Sequence, residues 1–218
     1  MPLPNRPSLD ISSVCPRSMP DGLSSEPWTR VRAWRIRYVP VRAALVAFLA
    51  FALGLWGTRG VLPTVSADEI GLYIHGHALG EGSILALWMR LCAAQLPLYV
   101  LLFCAGLTRF SGALTSGVLL TCGMADGAAL ALLWYAATQG LAPVALPVAC
   151  LLRVAIELAL RVCMATAACR LARRMDDRDC EGAGDYPSFR LLARYIAAFV
   201  LVIGAVAVVC LGYVVLIF

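Results

Sequence analysis

Lysine is absent: all 18 basic residues of this chain are arginine. With abundant Ala, Gly, Leu and Val, this reads as a GC-rich coding sequence and not as a nucleic-acid-binding signature. Charge of either sign is scarce, at 14% of residues against roughly 25% in soluble domains. No C-x-x-C pair, nucleophile elbow, phosphate loop or H-E-x-x-H helix occurs. An intramembrane enzyme would need a nucleophile–base pair, and none is present. No catalytic residue, cofactor or bound metal is therefore expected, and the chain is read as a non-enzyme. Cysteine is present nine times, an odd number, mostly inside apolar runs where it serves as a small hydrophobe. Neither a disulfide framework nor a zinc site follows. The only two histidines, His75 and His77, sit with Asp68, Glu69 and Glu81 in a polar segment. An H-x-H pair on one face of a strand is a possible metal site, but scattered acids around it read more simply as a solvated loop.

What is present is apolar surface. Hydrophobic residues make up 61% of the 218, and the mean hydropathy is +0.82. A soluble core of this size has no room for that much apolar surface, so lipid must cover part of it. The expected fold class is all-α, a polytopic cell-membrane protein with the bilayer as its first partner.

Residues 1–40 form a polar, Pro- and Ser-rich arm, expected to be largely disordered and cytoplasmic. It is too long and too polar before its first apolar run to be a secretory signal peptide. Its end carries Trp28, Arg30, Arg32, Trp34, Arg35 and Arg37. Arginines interleaved with aromatics just ahead of a span form a membrane-surface anchor. They serve either as a positive-inside flank or as a site for anionic lipid or a partner.

Residues 41–218 form the membrane domain, with five spans expected at about 41–58, 83–107, 110–138, 141–170 and 191–218. The centre of this pattern is a helical hairpin over 85–135, two apolar runs joined at Arg109. The first span is short: only the 16 residues between Arg42 and Arg59 are uncharged. Either arginine is expected to snorkel, or the helix to run on toward Leu62. Pro97 is expected to kink the second span. Between the first two spans, 67–75 is a candidate surface helix, and 171–190 reads as a polar loop. Arginines gather in the arm, at Arg109 and over 170–194, and are nearly missing from 60–83 and the turn near Gly140. By the positive-inside rule the N-terminus is cytoplasmic and the C-terminus outside.

Arg90, Asp126, Arg153, Glu157 and Arg161 lie in or at the edges of these spans. Each costs about 2.5–3.5 kcal/mol at the centre of a lipid-facing helix. They must therefore meet one another or a wet cavity. Arg153, Glu157 and Arg161 fall at i, i+4 and i+8 among apolar neighbours, one narrow stripe that must turn inward. Counting 1.5 Å per residue from the cytoplasmic ends puts Asp126 roughly 24 Å, Arg153 roughly 25 Å and Arg90 roughly 28 Å up, near the outer leaflet. Gln95 shares a second level with Glu157. Asp126 is expected to pair with Arg153, with Arg90 nearby, and Glu157 to bridge Arg153 and Arg161. The cluster reads as a self-neutralised network that sets helix register, as a partner-binding element, or as an ion path. A proton relay is disfavoured because arginine stays protonated and only two acids are available. In the third span Gly123 and Gly127 form a small-xxx-small element that lets helices approach closely.

The span ending in residues 101–106 (Leu-Leu-Phe-Cys-Ala-Gly), the basic joint at Arg109 and the glycines Gly112 and Gly117 are followed by basic 170–174 and by Arg194 and Tyr195 opening the last span. In this order they resemble the stage II sporulation protein M family over roughly residues 41–218. That resemblance implies a bacterial, non-enzymatic scaffold, which holds peptidoglycan-degrading partners at the membrane during spore engulfment. It supplies no catalytic residues. The alternative is a membrane subunit of a transporter, with a polar path between spans two, three and four.

Overall fold

The computed structural model describes residues 38–74, 83–108, 110–181 and 189–217. The anchor residues Trp28 to Arg37, the pair His75 and His77, Glu81 and the Arg109 joint lie outside the described residues. Regular structure among the described residues is entirely helical: α1 (Val39–Val61), a 3₁₀ turn (Leu62–Thr64), α2 (Ala67–Tyr73), α3 (Ile84–Gly106), α4 (Ser111–Thr138), α5 (Ala145–Glu181) and α6 (Phe189–Ile217).

Local chemistry sets the helix ends. Pro40 opens α1, where a missing N–H costs nothing, and the helix runs on past Arg59 into the 3₁₀ turn. Both Arg42 and Arg59 are exposed. Ser66 and Glu69 form a reciprocal capping box at the start of α2, and the Ser83 hydroxyl accepts from the Ala86 N–H to start α3. The helix continues through Pro97. α4 ends with Gly140 at φ 74°. There the Gly140 N–H donates to Ala137 O and the Leu141 N–H to Ala136 O, the paired bonds of a Schellman stop. Residues 141–144 are consumed by this turn and by Pro143, so the next helix starts at Ala145, later than the expected 141.

At its other end α5 departs further from expectation. It does not give way to a loop after Arg170 but continues to Glu181. Leu171 and Ala172 are buried, so packing carries the helix one turn past the first arginine, and helix-favouring Leu, Ala, Arg and Met extend it.

Among the described residues, four helices are long and apolar enough to cross a membrane: α1 with its 3₁₀ turn, α3, α4 and α6. Their outer faces carry a belt of large apolar side chains, with Trp56 78% and Leu201 73% exposed. Such surface is stable only under lipid or a partner. α5 is different. It packs against α1, α3, α4 and α6 alike, and so occupies the centre of the bundle. Its inward stripe runs Leu146, Cys150, Val154, Glu157, Arg161, Met164, Ala165 and Ala168, at helical spacing.

Two apolar clusters fill the interior. One joins Ile70 and Ile74 at α2 to Leu133, Ala136, Leu146 and Tyr213. The other joins Tyr99, Leu102, Leu119, Met164, Ala168 and Tyr195. In the second, the Tyr195 hydroxyl donates to Phe103 O at 2.9 Å, and its ring stacks on Phe103 at 5.0 Å. The charged part of α5 lies between the two clusters.

α1 and α4 run parallel along a seam of small residues. A Cβ on Gly123 would stand 2.8 Å from Ala50 Cβ and 2.9 Å from Ala47 O, and one on Gly127 would stand 2.8 Å from Leu55 N. Real Cβ atoms do not come so close, so the Gly123/Gly127 element is what lets these backbones touch. Gly127→Ala is expected to cost about 1–3 kcal/mol by overpacking. Gly204→Ala, at a position where nothing stands within 4 Å, should stay within about 0.5 kcal/mol. Thermal unfolding of the purified protein in detergent compares the two; equal melting temperatures would mean that the seam does not depend on glycine.

Candidate functional site

The cluster is built on α5, where Arg153, Glu157 and Arg161 stand one turn apart on the inward face. Glu157 occupies the middle and is fully buried. Its Oε1 accepts from Arg153 Nε at 2.7 Å and its Oε2 from Arg161 Nη2 at 2.9 Å. Its backbone carbonyl accepts from the Tyr99 hydroxyl at 3.4 Å, and the Cys210 thiol lies 3.8 Å from Oε1. Both carboxylate oxygens are therefore committed.

Arg161 reaches off the helix. Its Nη2 also donates to Gln95 Oε1 on α3 at 2.9 Å, and its Nη1 donates to Asp126 on α4 in an ion pair. Only its Nε lacks a partner among the described residues. Arg153 lies over the Tyr213 ring of α6, with the guanidinium carbon 5.0 Å from the centroid, a cation–π contact. Two arginines and two carboxylates thus cancel in charge. They tie α3, α4, α5 and α6 together through Gln95, Asp126, Glu157 and Tyr213.

The structure brings Asp126, Arg153, Glu157 and Arg161 together and leaves Arg90 out: that side chain is exposed on α3. It also corrects the expected pairing, because Asp126 binds Arg161 and not Arg153. Backbone level alone would favour Arg153, which stands nearer to Asp126 than Arg161 does. From the contacts of Ser111 and Thr115 with Cys169, Asp126 stands roughly 20 Å up, Arg161 roughly 12 Å and Arg153 roughly 24 Å. Side-chain direction decides. Side chains lean toward the N-terminus of their own helix, and α4 and α5 are antiparallel. Asp126 and Arg161 therefore lean toward one another, while Arg153 leans away.

Along the helices, Asp126 is close to the middle of α4, and Gln95 is the midpoint of α3. With 28 residues, α4 is roughly 42 Å long, so a count of roughly 24 Å from one end falls near mid-helix.

Gln95 belongs to the site as an acceptor, beyond the shared level read from the sequence. Tyr99, Tyr213 and Cys210 were not legible as members. The available signal was register: Gln95, Tyr99 and Leu102 fall on one face of α3 at i, i+4 and i+7, and all three are buried. A cavity of about 150 Å³ between α3 and α6 is lined by Gln95 and Tyr99 but by none of the four charged residues. Among the described residues no three His, Cys, Asp or Glu side chains are grouped to hold a metal, and Cys92, Cys104, Cys122, Cys150, Cys163, Cys169 and Cys210 are free thiols. No family model, curated protein or solved structure matches this chain.

Glu157→Gln strands two arginines and is expected to destabilise the protein by about 3–5 kcal/mol, the usual cost of breaking a buried ion pair. Arg153→Met should cost less, because Glu157 keeps Arg161. Joint replacement of Asp126 by Leu and Arg161 by Met should lose less than the two single changes summed. Equilibrium unfolding in mixed micelles measures all of these; strict additivity of the last pair would dissolve the Asp126–Arg161 coupling.

Proposed function

We propose that this chain is a five-span, non-enzymatic membrane scaffold, with its N-terminus in the cytoplasm and its C-terminus outside. The observation that carries the reading is the neutral cluster around Glu157, whose two carboxylate oxygens both hold arginines. Carboxylates that shuttle protons or ions need free lone pairs and a path to water. Here both Glu157 oxygens are bound to arginines, and the cavity beside Gln95 does not reach the charges. A network of this kind is suited to holding helices in register.

α5 is counted as the fifth span on physical grounds. Its charges are neutralised inside the bundle, its other face carries exposed Leu151, Leu152 and Ile156, and it packs along the other four long helices. The arginine distribution then orients the chain by the positive-inside rule. Alkaline phosphatase fused after Phe218 should be active in cells and a fluorescent protein at the same point dark. The reverse result would leave an even number of crossings.

The partners proposed are other membrane or cell-wall proteins, and the resemblance to the sporulation family suggests peptidoglycan-degrading enzymes. The second reading, a transporter subunit, draws on the same polar residues between α3, α4 and α5. Affinity capture of the full chain from solubilised membranes separates them. Recovery of cell-wall hydrolases in stoichiometric amount supports the scaffold, whereas recovery of an ATPase replaces it with the transporter.

A further inference from the structure

A second cavity, of about 510 Å³, opens between α1, α4 and α5, away from the charged cluster. Its size falls in the ~300–1,000 Å³ range of small-molecule sites. The polarity of its lining is graded along the bundle. At one end stand Arg59 at the close of α1, with Trp134, Tyr135 and Thr138 at the close of α4. Because α1 and α4 are parallel and in register, these residues share a level. The other end, roughly 6–12 Å deeper at 1.5 Å per residue, is walled by Leu55, Leu130 and Leu151.

The polar end holds unspent donors. Among the described residues, the Arg59 guanidinium has no ion pair, and neither the Trp134 indole N–H nor the Tyr135 hydroxyl has a hydrogen-bond partner. The cation needs an anion, and the apolar end needs a hydrocarbon. In a bundle covered by lipid, one molecule supplies both in this orientation. We propose that the cavity is a binding site for an anionic glycerophospholipid, its phosphate on Arg59 and one acyl chain against Leu55, Leu130 and Leu151. Arg59 then sits at headgroup level between interfacial aromatics, and its planar donor fork matches phosphate oxygens. This extends to a lipid ligand a cation that would otherwise only flank a span.

The test uses the purified full chain in detergent, titrated with phosphatidylglycerol or phosphatidylcholine and read by native mass spectrometry. Wild type is expected to retain one phosphatidylglycerol about tenfold more tightly than phosphatidylcholine, whose quaternary ammonium offsets the charge of the same phosphate beside Arg59. Arg59→Gln, an exposed position, should erase that preference. Leu151→Trp, which fills the apolar end, should lower occupancy by both lipids. An equal adduct in all three proteins would place the lipid elsewhere, the arginine-rich segment before Tyr38 included, and overturn the site. Displacement by glycerol phosphate at the same concentration would overturn the role of the acyl chain.

Discussion

Glu157 holds two arginines of its own helix in the interior of an apolar bundle, and the arrangement of the other helices follows from that. A guanidinium taken out of water needs an anion and filled donors, or it drags water in with it. One carboxylate cannot satisfy two such groups. Arg161 therefore recruits Asp126 from α4 and Gln95 from α3, and Arg153 lies against Tyr213 of α6. Each of these contacts fixes a neighbour's height along α5. The helix least suited to lipid becomes the central one for this reason: its charges can be satisfied only where the most partners converge.

The apolar parts of the structure impose a different kind of order. Packing of Leu, Val and Ala against one another supplies cohesion, but apolar faces tolerate small shifts along the helix axis. The α1–α4 seam is close because Gly123 and Gly127 admit backbone contact, and closeness by itself does not choose among registers one turn apart. A polar level between two apolar clusters does choose, since sliding by one turn would part Arg161 from both Asp126 and Gln95. Cohesion and register are thus assigned to different residues, which suits a protein whose proposed task is to present fixed surfaces to partners.

Much of this was readable in advance where one helix suffices. The i, i+4, i+8 stripe needs only the helical period, and the burial of Glu157 and Arg161 agrees with the inward turn it demands. The small-xxx-small element in α4 marked a close approach without naming α1 as its partner. Contacts between helices are of another kind. Asp126 pairs with Arg161 and not with Arg153 because antiparallel helices lean their side chains toward or away from each other. α5 runs past Arg170 because buried Leu171 and Ala172 continue the packed face beyond it. Arg90 is exposed on α3, since level along an axis does not distinguish an inward from an outward face.

By itself, the sequence determined that this protein is helical and made for lipid, which of its residues are too costly to face that lipid, and that those residues must find each other. These are consequences of composition and of the 3.6-residue period, and both are local. Only the tertiary structure decided who pairs with whom, that α5 is the centre, and that Arg59 stands over an apolar cavity. Those outcomes depend on helix direction, overhang and the meeting of faces from distant parts of the chain, and no single helix contains that information.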